Sequence, residues 1–190
     1  MNSIGIIGAG NIGRAFATAL ANNNIRATLS NSRGPDSLKD VVAAIGPTIE
    51  AGTREDAASK DIVLVAVNWS KLPAALAGLS QFGGRIVIDA NNPIEAPLFK
   101  PVELNGRLSS EVFAGLVPGA RVVKAFNHLQ PNLLSGDPRA EGGRRVLFYS
   151  GDDAGSKAEV GALIDRLGFF GIDLGPVSYT HLTLPTNREV

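Results

Sequence analysis

Cysteine is absent from the 190-residue sequence. Its absence excludes disulfide bonds, thiolate catalysis and metal sites built on cysteine, and it is compatible with the cytosol. A surplus of basic residues is also absent, because 18 Lys and Arg are balanced by 18 Asp and Glu. A protein that neutralises a phosphate backbone needs such a surplus, so we do not expect nucleic acid as a partner.

Long hydrophobic runs are absent as well. No apolar stretch approaches the roughly 20 residues that span a bilayer, so we expect no membrane partner. The amino terminus enters an apolar run at Ile4, without the charged start and longer apolar core of a signal peptide. We therefore expect a cytoplasmic protein. The hydrophobic content of 44% is enough for a real core, and the length fits one domain.

Short β-branched runs alternate with helical patterns. Strands are predicted at residues 4–7, 27–30, 62–67, 86–88, 122–123, 146–148 and 172–174, with a short one at Ile49. Helices are predicted at residues 12–20, 36–45, 72–79, 111–116 and 157–167, with a brief one opening at Thr53. This alternation predicts an α/β fold, a single Rossmann-type domain with a doubly wound, mostly parallel sheet.

Polar residues mark where two of these helices begin. Asp36 is predicted to be the N-cap of the helix that ends at Ile45. Thr53 and Asp56 have the spacing of a capping box, with Asp in place of the usual Glu or Gln.

Two segments follow neither pattern. Asn91 to Ser109 is rich in Pro and Gly and predicts a long loop, and long loops in compact domains are often functional. Residues 178–190 fit no earlier pattern, although they hold one of the two Tyr and one of the two His. We interpret them as an artefact of cloning or sequence assembly, with a native terminal strand as the alternative. The predicted domain therefore comprises residues 1–177.

The pattern Gly-x-Gly-x-x-Gly follows the first predicted strand and opens the first predicted helix. Its residues are Gly8, Ala9, Gly10, Asn11, Ile12 and Gly13. The first glycine permits the tight turn, the second lets a pyrophosphate approach the backbone, and the third lets the helix pack close to the strand. Backbone N–H groups at the helix start then face the phosphates. We predict a dinucleotide site here; a glycine-rich turn without a ligand is the alternative.

The residues after the second strand indicate which dinucleotide to expect. NAD sites usually carry Asp or Glu there, about 20 residues beyond the glycines, to bind the ribose 2′-hydroxyl. The sequence is Ser30-Asn31-Ser32-Arg33, and no carboxylate occurs before Asp36. Arg33 can take a 2′-phosphate and Ser32 can donate its hydroxyl to it, so we predict NADP(H). A solvated loop arginine is the alternative.

Polar and aromatic residues follow the next three predicted strands. In an open α/β sheet, ligands bind outside such carboxyl ends. Val67 and Trp69 are candidates to form the side of the pocket next to the nicotinamide. Asn91, Asn127 and His128 are candidates to bind the cofactor amide or a substrate. The alternatives are turn capping for the asparagines, a loop or core position for the histidine and plain packing for Trp69. We expect no metal site, and no catalytic residue is identified.

Several short motifs occur in a fixed order along the chain. They are Gly8-Ala-Gly-Asn-Ile-Gly13, Asn31-Ser-Arg33, Val65-Ala-Val-Asn-Trp69, Asp89-Ala-Asn-Asn-Pro93, Val123-Lys-Ala-Phe-Asn127 and Gly151-Asp-Asp153. With them, the chain from Ile4 to about Val177 resembles the NADP oxidoreductases of the coenzyme F420-dependent type. The same stretch resembles the cytosolic part of the six-transmembrane ferric reductases. The ordered set carries the resemblance, since the glycine loop alone is not specific.

The resemblance implies hydride transfer between NADPH and a deazaflavin, with coenzyme F420 as the candidate co-substrate and no need of a nucleophile. It places Val67, Asn68 and Trp69 on the nicotinamide side of the cofactor site, which Asn91 and Asn127 also line. We assign Asn92, Pro93 and His128 to the substrate cleft. Family members usually have a further C-terminal segment that contributes to this cleft and to a dimer contact, so the resemblance also allows a homodimer.

Two classes of function remain open. The first is an NADPH-dependent enzyme that reduces a small planar acceptor, which the intact run of polar strand ends favours. The second is a dinucleotide-binding module without chemistry of its own, such as a sensor. A sugar- or imine-reducing dehydrogenase would usually add a helical second domain, for which about 180 residues leave no room.

Overall fold

A computed structural model describes residues 2–95, 98–140 and 142–177. Our interpretation of residues 178–190 concerns a segment outside these ranges, so the predicted domain boundary at Val177 stays a prediction. Over the described residues, no helix combines the length and the apolar character needed to cross a bilayer.

Eight strands form the main sheet. They are β1 (Ile4–Ile7), β2 (Ala27–Ser30), β3 (Ile49–Ala51), β4 (Ile62–Val65), β5 (Ile86–Asp89), β8 (Arg121–Ala125), β9 (Val146–Gly151) and β10 (Phe170–Asp173). A separate antiparallel hairpin consists of β6 (Ile94–Glu95) and β7 (Lys100–Pro101). The helices are α1 (Asn11–Asn22), α2 (Lys39–Ile45), α3 (Arg54–Ala58), α4 (Leu72–Leu76), α5 (Ser109–Leu116), α6 (Pro131–Ser135) and α7 (Ala154–Arg166).

The strand order is β10-β9-β8-β5-β4-β1-β2-β3. The chain builds outward from β1 through β2 to β3, then returns to the other side of β1 with β4 and continues to β5 and β8. Strand β9 runs antiparallel to β8, and β10 runs parallel to β9. The predicted doubly wound, mostly parallel α/β sheet is therefore confirmed. Its switch point lies between β1 and β4, where such folds open a crevice at the carboxyl edge.

Helices cover the sheet in two layers because its central strands are apolar on both faces. All four residues of β4 are buried, as the continuous apolar run predicted. One core cluster packs the buried face of α1 and α7 against the sheet through residues that include Phe16, Leu20, Leu29, Phe126 and Ile164. The opposite cluster contains Val63, Val65, Trp69, Leu72 and Phe113.

The predicted N-cap at Asp36 is wrong. Residues Pro35–Leu38 form a 3₁₀ turn that precedes α2, and Asp36 lies inside that turn. Proline pre-sets the backbone angle for the first position of such a turn, and Gly34 before it has φ +85°. The Asp36 carboxylate instead forms an exposed ion pair with Lys39 at 2.8 Å.

Other boundaries also differ from the predictions. Strand β4 and helix α4 both end earlier than predicted, and the predicted long loop contains the hairpin of β6 and β7. Helix α6 was not predicted at all; it has only five residues, too few for a helical period to register. The capping box at Thr53 and Asp56 is confirmed, since each residue's side chain bonds the other's backbone N–H.

The crossing of α3 over β1 gives a test of the packing. A Cβ on Gly5 would lie 1.9 Å from the carbonyl oxygen of Ala57, a backbone atom that cannot move without shifting the helix. We expect Gly5→Ala to lower the free energy of unfolding by about 1–3 kcal/mol or more. Urea denaturation measures this.

Gly115 offers a matched control, because it lies inside α5 and a Cβ there would meet no atom within 4 Å. Gly115→Ala should raise stability by about 0.4–1 kcal/mol, since alanine loses less conformational entropy on folding. Equal urea midpoints for the two variants would contradict the close crossing of α3.

Candidate functional site

A cleft of about 840 Å³ opens at the carboxyl edge of the sheet, at the switch point between β1 and β4. This volume lies in the range of small-molecule and cofactor sites. The lining comes from the end of β1 with the glycine loop, the end of β2 with the loop after it, the start of α3, the segment after β4, and α4 with the residue before it. The lining residues are Ile7, Gly8, Ala9, Gly10, Arg14, Ser30, Asn31, Ser32, Arg33, Gly34, Thr53, Arg54, Glu55, Ala66, Val67, Asn68, Lys71, Ala74 and Ala75.

The three glycines of the loop have the geometry that their spacing predicts. Gly8 has φ +109°, and a Cβ there would lie 2.2 Å from the carbonyl oxygen of Ala66. A Cβ on Gly13 would lie 1.8 Å from the carbonyl oxygen of Gly8, so α1 packs directly on the turn. A Cβ on Gly10 would meet nothing within 4 Å, because this residue faces the cleft. The loop thus leaves open backbone where a ligand can approach.

Helix α1 begins at this loop. Gly10 is its N-cap, and within the described residues no side chain caps it. The first N–H groups of a helix have no intrahelical partner, and the helix dipole adds partial positive charge there. Of the predicted loop residues, Asn11 is exposed in this first turn and Ile12 packs against the core. An anion in the cleft would therefore meet unpaired donors.

The loop after β2 presents the residues predicted to bind a 2′-phosphate. Ser32 and Arg33 are both exposed and both line the cleft. Arg33 uses its backbone N–H in a 2.9 Å bond to Asn31 Oδ1, while its guanidinium has no hydrogen bond or ion pair with any residue that the structure describes. Ser30, the last residue of β2, is buried and donates to the carbonyl oxygen of Ile6 at 2.9 Å. This bond holds the loop against the end of β1.

Several lining residues were missed by the sequence analysis. Arg14 follows the glycine loop directly and donates from Nε to the Ala9 carbonyl at 2.8 Å. Arg54 opens α3 and donates to the carbonyls of Ala74 and Ala75 on the facing helix. One signal pointed to Arg54, since the Thr53 capping box starts a helix at the same sheet edge as the glycine loop. Lys71 precedes α4, and no sequence signal placed it in the cleft.

Basic side chains outnumber acidic ones in the cleft. The lining contains one carboxylate, that of Glu55, and four basic side chains, those of Arg14, Arg33, Arg54 and Lys71. Glu55 lies 2.8 Å from the Arg54 guanidinium, whose hydrogen bond lowers the pKa of this carboxyl group. The formal charges of the whole chain cancel, so the positive charge here is a local property. Such a field favours a ligand with several negative charges.

Asn91, the asparagine after β5 that was predicted to bind the cofactor, is buried and is not among the residues that line the cleft. Asn91 is 4% exposed, and its side-chain Nδ2 donates to Val65 O at 3.1 Å and to Asp89 Oδ1 at 2.8 Å. Its Oδ1 accepts the N–H of Val67 at 2.9 Å. The side chain therefore ties the end of β4 to the end of β5, and its predicted contact with the cofactor stays a prediction.

A buried ion pair anchors this connection. The Lys124 ammonium lies 2.8 Å from Asp89 Oδ2 and 2.6 Å from the carbonyl oxygen of Asn91. Asp89 is fully buried and the Lys124 side chain is 15% exposed. Next to it, Asn92 and Asn127 bond each other, with Asn92 Nδ2 donating to Asn127 O at 2.7 Å. The strand ends of β4, β5 and β8 are thus joined by one polar network.

The remaining predicted residues take separate places. Val67 and Asn68 line the cleft, whereas Trp69 is 8% exposed and packs in the core cluster with Leu72. Pro93 lies at the base of the hairpin, where its carbonyl accepts the N–H of Val102 at 2.8 Å. Their predicted roles toward a cofactor or substrate stay predictions.

His128 is directed toward β9. Its ring lies 5.4 Å from that of Phe148, and its Nε2 is 3.4 Å from the Phe148 backbone N–H. Partial burial lowers the pKa of His128, although a hydrogen bond with Val146 opposes the shift. The neutral imidazole is therefore the main form at neutral pH. His128 is not among the residues that line the cleft between β1 and β4.

The motif Gly151-Asp-Asp153 lies at the opposite edge of the sheet. Because β9 is antiparallel to β8, its carboxyl end meets the start of β8, and Asp153 lies 3.2 Å from Arg121. Asp153 also caps α7: it accepts hydrogen bonds from the Ser156 hydroxyl and from the Ser156 backbone N–H, and these bonds lower the pKa of the carboxyl group. Within the described residues, no group of three or more His, Asp or Glu could hold a metal ion.

The switch point, the glycine loop and the basic cleft define a dinucleotide-binding domain of the Rossmann class. The family model described as NADP oxidoreductase, coenzyme F420-dependent, matches residues 3–93. A candidate F420-dependent NADP reductase of Arthrobacter sp. FB24 is 30% identical with a TM-score of 0.78, over 94% of this chain and 86% of that one. This chain belongs to that family, whose class is the NAD(P)-dependent oxidoreductases.

Two further proteins are similar to this chain. A hypothetical protein of Sinorhizobium meliloti is 44% identical with a TM-score of 0.89, and the match covers 94% of this chain and 87% of that chain. Metalloreductase STEAP3 of Rattus norvegicus is 29% identical over 177 residues, which are 92% of this chain. The chain spans 34% of the length of that metalloreductase.

The buried ion pair at the strand ends gives a second test. Lys124→Met leaves the Asp89 carboxylate buried without its counter-charge, so we expect a loss of about 3–5 kcal/mol in the free energy of unfolding. Denaturant titration monitored by circular dichroism measures it.

The double variant Lys124→Met/Asp89→Asn is the matched comparison. An amide at position 89 carries no charge and can still accept the N–H of Asn91, so part of the loss should be recovered. A single variant as stable as the double variant would contradict a charged, structurally important pair.

Proposed function

We propose that this chain binds NADP(H) in the cleft between β1 and β4 and transfers a hydride between it and coenzyme F420 or a similar planar acceptor. The observation that carries the proposal is the unpaired guanidinium of Arg33 at the carboxyl end of β2, which has no partner among the described residues. In a site for NAD(H), a carboxylate would stand there to accept the ribose 2′-hydroxyl. A free guanidinium instead suits the 2′-phosphate.

The other lining groups fit the same ligand. NADP(H) carries a diphosphate and a 2′-phosphate, and the cleft offers unpaired helix N–H groups at one point and Arg33 at another. Gly10 leaves space for the diphosphate to approach the main chain. The Ser32 hydroxyl lies beside Arg33 and can donate a second hydrogen bond to the 2′-phosphate. Each cluster of negative charge thus has a donor set of its own.

The proposed hydride transfer requires the protein mainly to position the cofactor and the acceptor. Bound NADPH supplies the hydride, and a planar acceptor beside it receives both electrons. Val67 and Asn68 lie in the lining just after β4, the strand next to β5, and the Asn91 side chain accepts the backbone N–H of Val67. A rigid backbone here would hold the reacting rings in register, which is the main contribution that such an enzyme makes.

A turnover assay tests the proposal. Purified protein is mixed with NADPH and, in turn, with coenzyme F420, free flavins and a buffer blank, and the absorbance of the reduced nicotinamide is followed. Turnover with coenzyme F420 or another planar acceptor supports the enzyme. Tight binding of NADPH without turnover across the panel would instead identify a binding module, and absence of binding to either nicotinamide nucleotide would overturn the proposal entirely.

Charge reversal at Arg33 tests the cofactor preference. Arg33→Glu should raise the Kd for NADPH by about tenfold or more and leave the Kd for NADH nearly unchanged, because only NADPH carries the phosphate. Isothermal calorimetry measures both constants. Arg26→Glu reverses the same charge on an exposed residue before β2, at the other end of the strand, and serves as control. Equal NADPH affinity in Arg33→Glu and Arg26→Glu would rule out the assigned contact.

A further inference from the structure

Asn31 occupies the position after β2 at which an acidic residue marks an NAD site. It is half-buried and lines the cleft beside Ser32 and Arg33. The sequence motif includes Asn31, yet the proposed contacts to the phosphate use only its two neighbours.

The Asn31 side chain is directed back into its own loop. Its Oδ1 accepts the backbone N–H of Arg33 at 2.9 Å, and its Nδ2 donates to Ser37 Oγ at 2.9 Å. The Ser37 hydroxyl has one proton, which it gives to the Gly34 carbonyl at 2.8 Å. Its 3.3 Å approach to Asn31 Oδ1 is the weaker alternative. One side chain thus closes the loop from residue 31 to residue 37.

The orientation of the amide follows from its partners. A backbone N–H can only donate, so the atom facing Arg33 must be the oxygen, and the nitrogen then faces Ser37. Gly34 allows the chain to turn here with φ +85°. The bond to Asn31 fixes the backbone of Arg33 just after the end of β2. The Arg33 side chain is exposed there, and its guanidinium has no partner among the described residues.

We propose that Asn31 is a positioning residue for cofactor choice: it fixes the backbone of Arg33 over the cleft and keeps a neutral group where an acid would favour NADH. This inference rests on the proposed binding of NADP(H) and adds a residue that does not itself hold the phosphate. Both parts of the amide are needed. The oxygen holds Arg33, and the nitrogen holds Ser37.

An aspartate at this position would meet only one of these needs. The carboxylate that Asn31→Asp introduces could still accept the N–H of Arg33, but it would lose the donor to Ser37 and place a negative charge beside the 2′-phosphate. A carboxylate and a phosphate side by side repel each other because both are negative. In NADH, the same carboxylate can accept a hydrogen bond from the ribose 2′-hydroxyl. Asn31→Asp should therefore raise the Kd for NADPH about tenfold or more and leave NADH binding unchanged or tighter.

A double-mutant cycle tests whether Asn31 acts through Arg33. The Kd values of the full chain for NADPH and NADH are measured by calorimetry in the wild type, Asn31→Ala, Arg33→Ala and the double variant. Asn31→Ala should weaken NADPH binding by about fivefold to tenfold in the wild type but by less than about twofold once Arg33 is absent, because coupled residues are not additive. Neither background should show a comparable change with NADH.

Ser37→Ala provides a variant outside the cleft lining. It removes the partner of Asn31 Nδ2 and the bond to Gly34, so NADPH binding should weaken while NADH binding stays constant. Thermal denaturation of every variant verifies that it folds. If Asn31→Ala is unstable, Asn31→Asp and Ser37→Ala still decide the matter: unchanged NADPH affinity in both would overturn the inference.

The outcomes separate this inference from the proposed function. A wild-type chain that binds neither nucleotide overturns both. A wild-type chain that prefers NADPH, with equal losses from Asn31→Ala in the presence and absence of Arg33, overturns only the positioning role. Loss of NADPH affinity that disappears in the Arg33→Ala background supports it.

Discussion

The close approach of α1 to the ends of β1 and β4 is the contact on which the rest of the molecule depends. Where the helix meets the turn, a Cβ on Gly13 would lie 1.8 Å from the Gly8 carbonyl, and a Cβ on Gly8 would lie 2.2 Å from that of Ala66. With no side chains between them, the first turn of the helix opens directly into the crevice at the switch point. The same contact seats Phe16 and Leu20 in the core. Binding geometry and packing therefore share one cause.

The cleft has more basic than acidic side chains, although the formal charges of the whole chain cancel. Elsewhere, basic residues such as Lys39, Arg121 and Arg144 face carboxylates at short range. In the cleft, Arg33 has no such partner among the described residues, while Arg54 is held by backbone carbonyls and by Glu55. An exposed cation without a partner keeps its full capacity to bind an anion. The family assignment and this local field point to the same kind of ligand.

Polar residues at the strand ends act mainly on each other. The Asp89 and Lys124 pair, together with Asn91, joins the carboxyl ends of β4, β5 and β8, which are neighbouring strands of the sheet. Asn91 then fixes the backbone of Val67 in the lining. A buried polar group that loses its hydrogen-bond partner lowers the stability of the protein, so a change to one member of this network affects the others. These bonds connect the strand ends beside the cleft, which suits the proposed hydride transfer because that chemistry needs position rather than a nucleophile.

Local patterns in the sequence determined the Rossmann class, the glycine loop, the capping box at Thr53 and the absence of an acid after β2. The last three depend on residues close together in the sequence, and the Rossmann class depends on the order of strand and helix patterns along the chain, so all four can be predicted from the sequence. Tertiary structure decided that Trp69 enters the core, that Asn91 binds strand ends, that Arg54 and Lys71 reach the cleft, and that the segment after Asn91 folds back as a hairpin. A polar side chain at a strand end can bind a ligand or another strand. Which it does depends on residues distant in sequence that the sheet brings beside it.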